Sequence, residues 1–468
     1  MFPIEAYDST IRHIAEYTVN AGPDSLSQST LECLVRHNLD SFGCAAGGYD
    51  SAVCRAAIGI AASATVQGGA SVLGLPDRTT PEYATFANAT LIRFLDYNDN
   101  YLRNGGGHTS DLIPAVLAAA EQGGRSGMEF LVGLHVGYEV FAALADAIPN
   151  RDRGWDYPFF IGIAGAAATA KVMGLGVEQT ASAIAMAITP SLPFGITRVG
   201  PLANWKGLAS PFAAMNAFFV ARLAGHDITG PPAAVEGHRG MMHLASGSFD
   251  LSRLGVPQDG LTAAERSSYK LFVAEFNAQG PVAIFCDLHQ RGVRPDDIAS
   301  IVVRTYEVAF SEIGGGQSDH EIKWDPQNKE TADHSLPYMV AVALADGDVT
   351  AQSYSTERIL DPLLRPFMER ISVEVDDAIT ANWNVEPAHD IEIHYRNGEV
   401  LRVRSAFPKG HPSNPADDAE IIRKFHRQAA PVLGEAGAAR LEQSLWAIPN
   451  MRDINEFCDL LRSSTATT

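Results

Sequence analysis

The sequence predicts a mainly helical protein: a large all-helical domain built from the N- and C-terminal parts, plus a smaller α+β lid domain. Three observations carry this. From Glu5 to Ala264, Ala- and Leu-rich segments repeat apolar residues every three or four positions, the period of a helix buried on one face. After Lys270 the texture changes to short β-branched runs that alternate apolar and polar residues. Towards the C-terminus helical periodicity returns. The expected division is 1–270 with 410–468 for the helical domain and 271–409 for the lid.

In the first part, helices are expected at Ser25–Phe42, Ala52–Val66, Pro81–Leu95, Leu112–Gln122, Met128–Ala147, Ile161–Met173 and Val177–Ile188. Small residues such as those of Gly162–Ala170 let neighbouring helices approach closely. In the second part, strands are expected at Ile298–Tyr306, Ile371–Val375, Asp390–Tyr395 and Val400–Ser405. The last two flank Arg396-Asn-Gly-Glu399, a hairpin signal. His334–Asp346 and Ser355–Leu360 read as helices between them, and Pro415–Arg427, Ala438–Trp446 and Ile454–Leu461 as the helical return.

Bulk properties exclude several function classes. A formal net charge of −20 repels a phosphate backbone or an anionic membrane surface, which argues against nucleic acid and membrane partners. Five widely spaced cysteines without a C-x-x-C pair form neither a disulfide framework nor a zinc cluster; they read as buried thiols in a reducing compartment. The longest apolar run, Pro158–Ala170, is too short to span a bilayer, and the N-terminus carries no signal-peptide pattern. A soluble, cytoplasmic protein is the expectation.

The chemistry concentrates in Asp96–Ala115. Three carboxylates (Asp96, Asp99, Asp111), three amides (Asn98, Asn100, Asn104) and His108 crowd around Gly105–Gly107. Asx-turn capping explains part of such a cluster; a polar wall facing a substrate explains the rest. A calcium loop does not, because Tyr101 and Gly107 stand where an EF-hand needs Gly and Glu. With Thr109 or Ser110 as N-cap and Pro114 in the first turn, His108 stands just ahead of a helix N-terminus, where free N–H groups favour an anion. Glycines before it permit close backbone approach to a ligand.

A second segment repeats the pattern: His334 precedes Ser335, an N-cap, with Pro337 and Tyr338 in the first turn. Two histidine-bearing helix starts facing one cleft suit acid/base chemistry on a carboxylate; routine capping is the plainer reading. Lys206 and Lys270 lie in apolar surroundings, either snorkelling to the surface or supplying desolvated positive charge. Gly237–His243 reads as a connector.

These segments resemble the MmgE/PrpD family. The resemblance is carried by Arg93–Leu102, Gly107–Asp111, Trp205-Lys206, Tyr269-Lys270 and above all Lys323–Met339, and it runs through most of the chain. It implies a homodimer, no metal and no organic cofactor. It also implies catalytic roles for Asp96, His108, Lys206, Lys270 and Tyr338, with Asn98, Asp99, Asn100, Tyr157, His334 and Ser335 facing substrate. Asn100, Thr109 and Tyr157 depart from the dehydratase pattern, Tyr157 standing where a second histidine is expected. The activity implied is a cofactor-independent hydro-lyase dehydrating 2-methylcitrate or a related small hydroxy acid. A decarboxylase, an epimerase and a carboxylate-binding protein without turnover remain alternatives on residue types alone.

Overall fold

The computed structural model describes residues 1–190 and 192–464. The helical part contains Ser9–Asn20, Gln28–Gly48, Ala52–Ala62, Pro81–Arg93, Ile113–Gln122, Gly127–Ala147, Pro158–Met173, Val177–Ile188 and Trp205–Gly225. Four of these nine start where the sequence supplies a side-chain cap: Asp8, Ser27, Ser51 and Ser126 each accept from a backbone N–H of the first turn. Gly127–Ala147 and Pro158–Met173 are apolar around nearly their whole circumference, because both run through the core. Gly127–Ala147 and Trp205–Gly225 are long and apolar enough to cross a membrane by length and composition; within the fold, 89% and 56% of their apolar windows are buried.

Several expectations need correction. The Ala52–Val66 helix stops at Ala62, and an antiparallel pair, Thr65–Val72 with Leu75–Thr79, follows it. Thr65 and Val66 are β-branched and favour extended backbone, Gly68 and Gly69 break the helical run, and Gly74 turns the pair with φ +74°. Helical periodicity does not continue to Ala264; between His226 and Ser268 the chain is largely turns around one short helical segment, Met242–Ser246. Neither Thr109 nor Ser110 caps the next helix. Thr109–Leu112 is a 3-10 turn leading into Ile113–Gln122, and no side chain caps either.

The α+β part is built on a four-stranded sheet, in the order Ile371–Val375, Ile298–Thr305, His389–Tyr395, Val400–Ser405. The first pair is parallel and the other two antiparallel. Gly398, at φ +92°, closes the final hairpin as its Asn-Gly signal requires. Leu336–Asp346 and Gln279–Gln290 pack together on this part's core. The helix Asp418–Ala447, interrupted at Gly434, returns along Gln28–Gly48.

Two large apolar cores result. The helical one extends from Tyr7 to Leu461, whereas the other gathers residues of the α+β part with Cys44, Leu95 and Tyr97. Leu95 and Tyr97 therefore anchor the backbone on both sides of Asp96 in that second core. Lys424, from the returning helix, braces the same spot: its Nζ donates to the Tyr97 carbonyl at 2.7 Å, pairs with Asp40 at 2.5 Å, and lies over the Tyr97 ring. The polar loop is fixed from behind by chain more than 300 residues away.

Candidate active site

A cavity of about 530 Å³ opens between the two parts. Its helical wall includes Arg93, Asp96, Asn100, His108, Tyr157 and Arg198; its α+β wall includes Glu275, Glu307, Glu312 and His334. At the centre is Asp96. It ends the helix Pro81–Arg93 in a left-handed conformation, φ +53°, which Asp tolerates better than most residues. Three cations converge on its buried carboxylate. Lys270 Nζ lies 2.6 Å from Oδ1 and 2.7 Å from the main-chain carbonyl. Arg93 reaches both oxygens, at 3.1 and 3.2 Å, and Lys206 Nζ lies 3.1 Å from Oδ2. Burial alone would raise this carboxyl; Arg93, Lys270, Lys206 and a contact from His108 hold it well below the usual carboxylate range. Asp96 is thus a permanent anion that gathers cations.

Both histidines are held neutral. His108 Nδ1 lies 2.6 Å from the Asp99 carbonyl, which can only accept, so Nδ1 carries the proton. Its Nε2 stands 3.3 Å from Asp96 Oδ1. Burial, with Arg93 and Lys270, keeps the ring neutral by lowering its pKa well below the ordinary value, so Nε2 is a bare lone pair at the cavity wall. His334 Nδ1 lies 3.0 Å from Lys206 Nζ and 2.8 Å from Asp333 Oδ1. Burial and Lys206 push its pKa down to about 3. The ammonium can only donate to this nitrogen and the carboxylate can only accept from it, so the two contacts compete for the tautomer while the ring stays neutral.

Lys206 opens the helix Trp205–Gly225 and is buried with Asp333, whose Oδ1 is 2.5 Å away. Asp333 Oδ2 pairs with Lys329 at 2.7 Å; despite burial, these two lysines lower the Asp333 pKa. Asp96, Asp333 and His334 present ligand atoms close enough to hold a metal ion, and those atoms converge on Lys206 Nζ, so an ammonium already occupies that position.

The rest of the polar loop supports this group. Asp99 accepts from Ser110 N and Oγ, at 3.0 and 2.6 Å, and from Tyr138 Oη at 2.7 Å. Asn98 donates to Ser110 and Asp111. Asn100 pairs through its backbone with Ser268 and lines the cavity. The glycines serve close packing. A Cβ on Gly107 would meet the Tyr157 ring at 2.3 Å, and one on Gly106 the Tyr101 carbonyl at 2.0 Å, so the close approach is to protein first. Tyr157, at the cavity wall, donates to Asp111 at 3.0 Å and receives Arg93 Nε at 3.2 Å. Ser210 also donates to Asp111, at 2.5 Å; burial raises the Asp111 pKa to about 6 against these contacts.

Asp96, His108, Lys206, Lys270 and His334 therefore come together as expected. Tyr338, Ser335, Asn98 and Asp99 do not join them at the cavity, and the last two are fully buried in the loop's own bonds to Ser110, Asp111 and Tyr138. The Tyr338 hydroxyl bonds the Ser353 carbonyl at 2.5 Å within the second core, since one turn into its helix the side chain faces Tyr354. Ser335 caps that helix, accepting from Tyr338 N at 3.2 Å and donating to the Lys323 carbonyl. Arg93, Arg198 and Glu275 were not singled out from the sequence. Arg93 lay inside a quoted motif as the last residue of a helix, where a cation suits the dipole. Glu275 had no sequence signal. Burial, Glu312 and Asp96 raise its pKa to about 7, against the pull of Lys270.

Residues 12–254 match the MmgE/PrpD N-terminal domain and residues 272–448 the MmgE/PrpD C-terminal domain. The chain belongs to the MmgE/PrpD family. Among its relatives is the mitochondrial 2-methylcitrate dehydratase of Yarrowia lipolytica, 28% identical over 97% of this chain and 90% of that protein. The 2-methylcitrate dehydratase of Salmonella typhi is 26% identical over 97% of each chain. A 2-methylcitrate dehydratase-like protein of Aspergillus oryzae is 27% identical over 90% of this chain and 89% of its own length. Family membership and whole-length relatives support a dehydratase of the MmgE/PrpD type.

Proposed function

We propose that the protein is a hydro-lyase that dehydrates 2-methylcitrate or a related small hydroxy acid, using its own side chains and no cofactor. The observation that carries this is the pairing of a neutral His108, its Nε2 3.3 Å from Asp96, with three cations on the same carboxylate. Loss of water requires removing a weakly acidic C–H beside a carboxylate. Nε2 of His108 takes that proton, and Asp96 stabilises the imidazolium formed. Negative charge grows on the substrate carboxylate, next to Arg93, Lys206 and Lys270. The electron pair of the C–H bond becomes the alkene as the C–O bond breaks. The departing hydroxyl needs a proton, and Glu275 on the opposite wall, protonated up to about pH 7, is a stronger acid than the neutral His334 N–H.

The relatives named 2-methylcitrate dehydratase select this substrate class. Pure protein incubated with 2-methylcitrate and citrate should develop alkene absorbance in the ultraviolet; a flat trace with every citrate-like acid would overturn the hydro-lyase reading. Tyr157, a phenol where the dehydratase pattern expects an imidazole, favours a second reading, a carboxylate-binding protein that has lost a base. Calorimetric heat on adding citrate-like acids, with no turnover of any of them, would establish it. A homodimer fits the apolar stripe Trp205, Phe212 and Phe219, spaced seven residues apart and 41–47% exposed. Phe212→Glu is expected to yield monomers by light scattering, and an unchanged mass would remove this surface from the interface.

A further inference from the structure

Two cations at the cavity, Arg151 and Arg198, have no place in the chemistry above. Arg198 lies on the turn Gly195–Arg198, between Tyr157 and the cavity. Asp156 fixes it: Oδ2 receives Arg198 Nε at 3.0 Å and Thr197 Oγ1 at 2.8 Å, while Oδ1 receives Tyr157 N at 2.8 Å. The guanidinium carbon stands 5.2 Å from the Tyr157 ring centroid, a cation–π platform. Asp156 engages the Nε side, and Nη2 has no hydrogen-bond partner among the described residues. A guanidinium that is mostly covered, its side chain 12% exposed, and held by a carboxylate and an aromatic face is already oriented, so little rotamer freedom is lost when it takes another ligand. The other cations differ. Arg93, Lys206 and Lys270 all bond Asp96, Lys329 bonds Asp333, and the more exposed Arg151 bonds Glu312 across the cavity.

We propose that Arg198 is a specificity-determining residue that binds a second substrate carboxylate, remote from the C–H bond that His108 attacks. Asp156 is its positioning residue and Tyr157 its platform. The ligand class is a polycarboxylate long enough to span from the Asp96 cations to Arg198; a short acid engages only one end. This extends the dehydratase reading, because it says how the cavity tells a tricarboxylate from a smaller hydroxy acid. It also gives Tyr157 a use that an imidazole would serve less well, since a phenol ring is always uncharged under a guanidinium.

Calorimetric titration with citrate and with malate tests it, alongside turnover of the same samples. Arg198→Gln should weaken citrate binding by about 30-fold or more, since truncating one partner of a buried charge pair typically costs that much. Malate should weaken far less, so the citrate-to-malate preference collapses. Arg198→Lys keeps the charge and loses the planar fork; it should fall between the two and guards against misfolding of the Gln variant. Citrate affinity unchanged in both variants, or equal loss for both acids, overturns the subsite. A wild-type protein that does not bind citrate at millimolar concentration also overturns it. Citrate binding through Arg198 without turnover keeps the subsite and overturns the dehydratase reading; turnover with unchanged affinities does the reverse.

Discussion

His108 Nε2 stands 3.3 Å from Asp96 Oδ1, and its other nitrogen is tied to the Asp99 carbonyl. A lone pair facing a carboxylate is unfavourable by itself. The contact becomes favourable once Nε2 has taken a proton. The geometry suits a state reached during reaction more than the resting one. Substrate carboxylates near Arg93 and Lys270 would offset the positive charge that depresses this imidazole, so binding itself strengthens the base.

His108→Gln should therefore lower kcat by ~10²–10⁴, the usual range for a positioned base, with citrate affinity nearly intact. Deuterium from solvent should stop entering substrate in the same variant. Exchange at the wild-type rate would assign proton removal elsewhere.

Glu275 makes an alkaline limb. A carboxyl at about 7 is a proton donor below that pH and loses the proton above it, so kcat should fall as pH rises through about 7. Glu275→Gln should lower kcat by ~10²–10³ and flatten that limb. A limb of the same midpoint in the variant would release Glu275 from the mechanism.

Acid stability should depend on His334. Its folded pKa of about 3 lies below the ordinary 6.5, so between those values the unfolded chain binds more protons. Stability is full above about pH 6.5 and is lost as pH falls towards 3. His334→Gln should melt with a shallower dependence on pH across that window; parallel curves would mean that this imidazole is protonated in the fold.

Tyr338→Phe separates placement from motif. Losing the bond to Ser353 should cost ~0.5–1.5 kcal/mol in denaturant unfolding. Turnover should stay within a factor of about 3, because no group at the cavity changes. A loss of two orders of magnitude would bring Tyr338 back to the chemistry.

The mainly helical fold with an α+β part was legible because apolar residues recur every three or four positions in its helices and its hairpin closes on Asn-Gly. The helix Trp205–Gly225 was not, because Pro211 lies inside it and its apolar residues cover most sides, leaving no period to read. The polar loop and the two histidine-bearing turns were visible as anomalies of composition. Their partners were not. Asp333 is 127 residues from the lysine it binds, and Lys424 is 327 residues from the loop it braces. Tyr338 misled for a related reason: motif position places a residue on a helix, whereas the direction of its side chain is decided by what packs there.

Across the cavity, Arg151 Nε pairs with Glu312 at 2.9 Å, joining the helical wall to the α+β wall at partly exposed side chains. Such a pair contributes only ~0–1 kcal/mol, so it is a weak fastening and sensitive to salt. Hydrogen exchange along Glu307–Ile313 should quicken as ionic strength rises, and salt-independent exchange would deny it that part. A polycarboxylate passing Arg151 competes with Glu312 for the same guanidinium. The visitor would then loosen this fastening by the very charge for which the interior is built, and a neutral molecule of equal size would leave it in place.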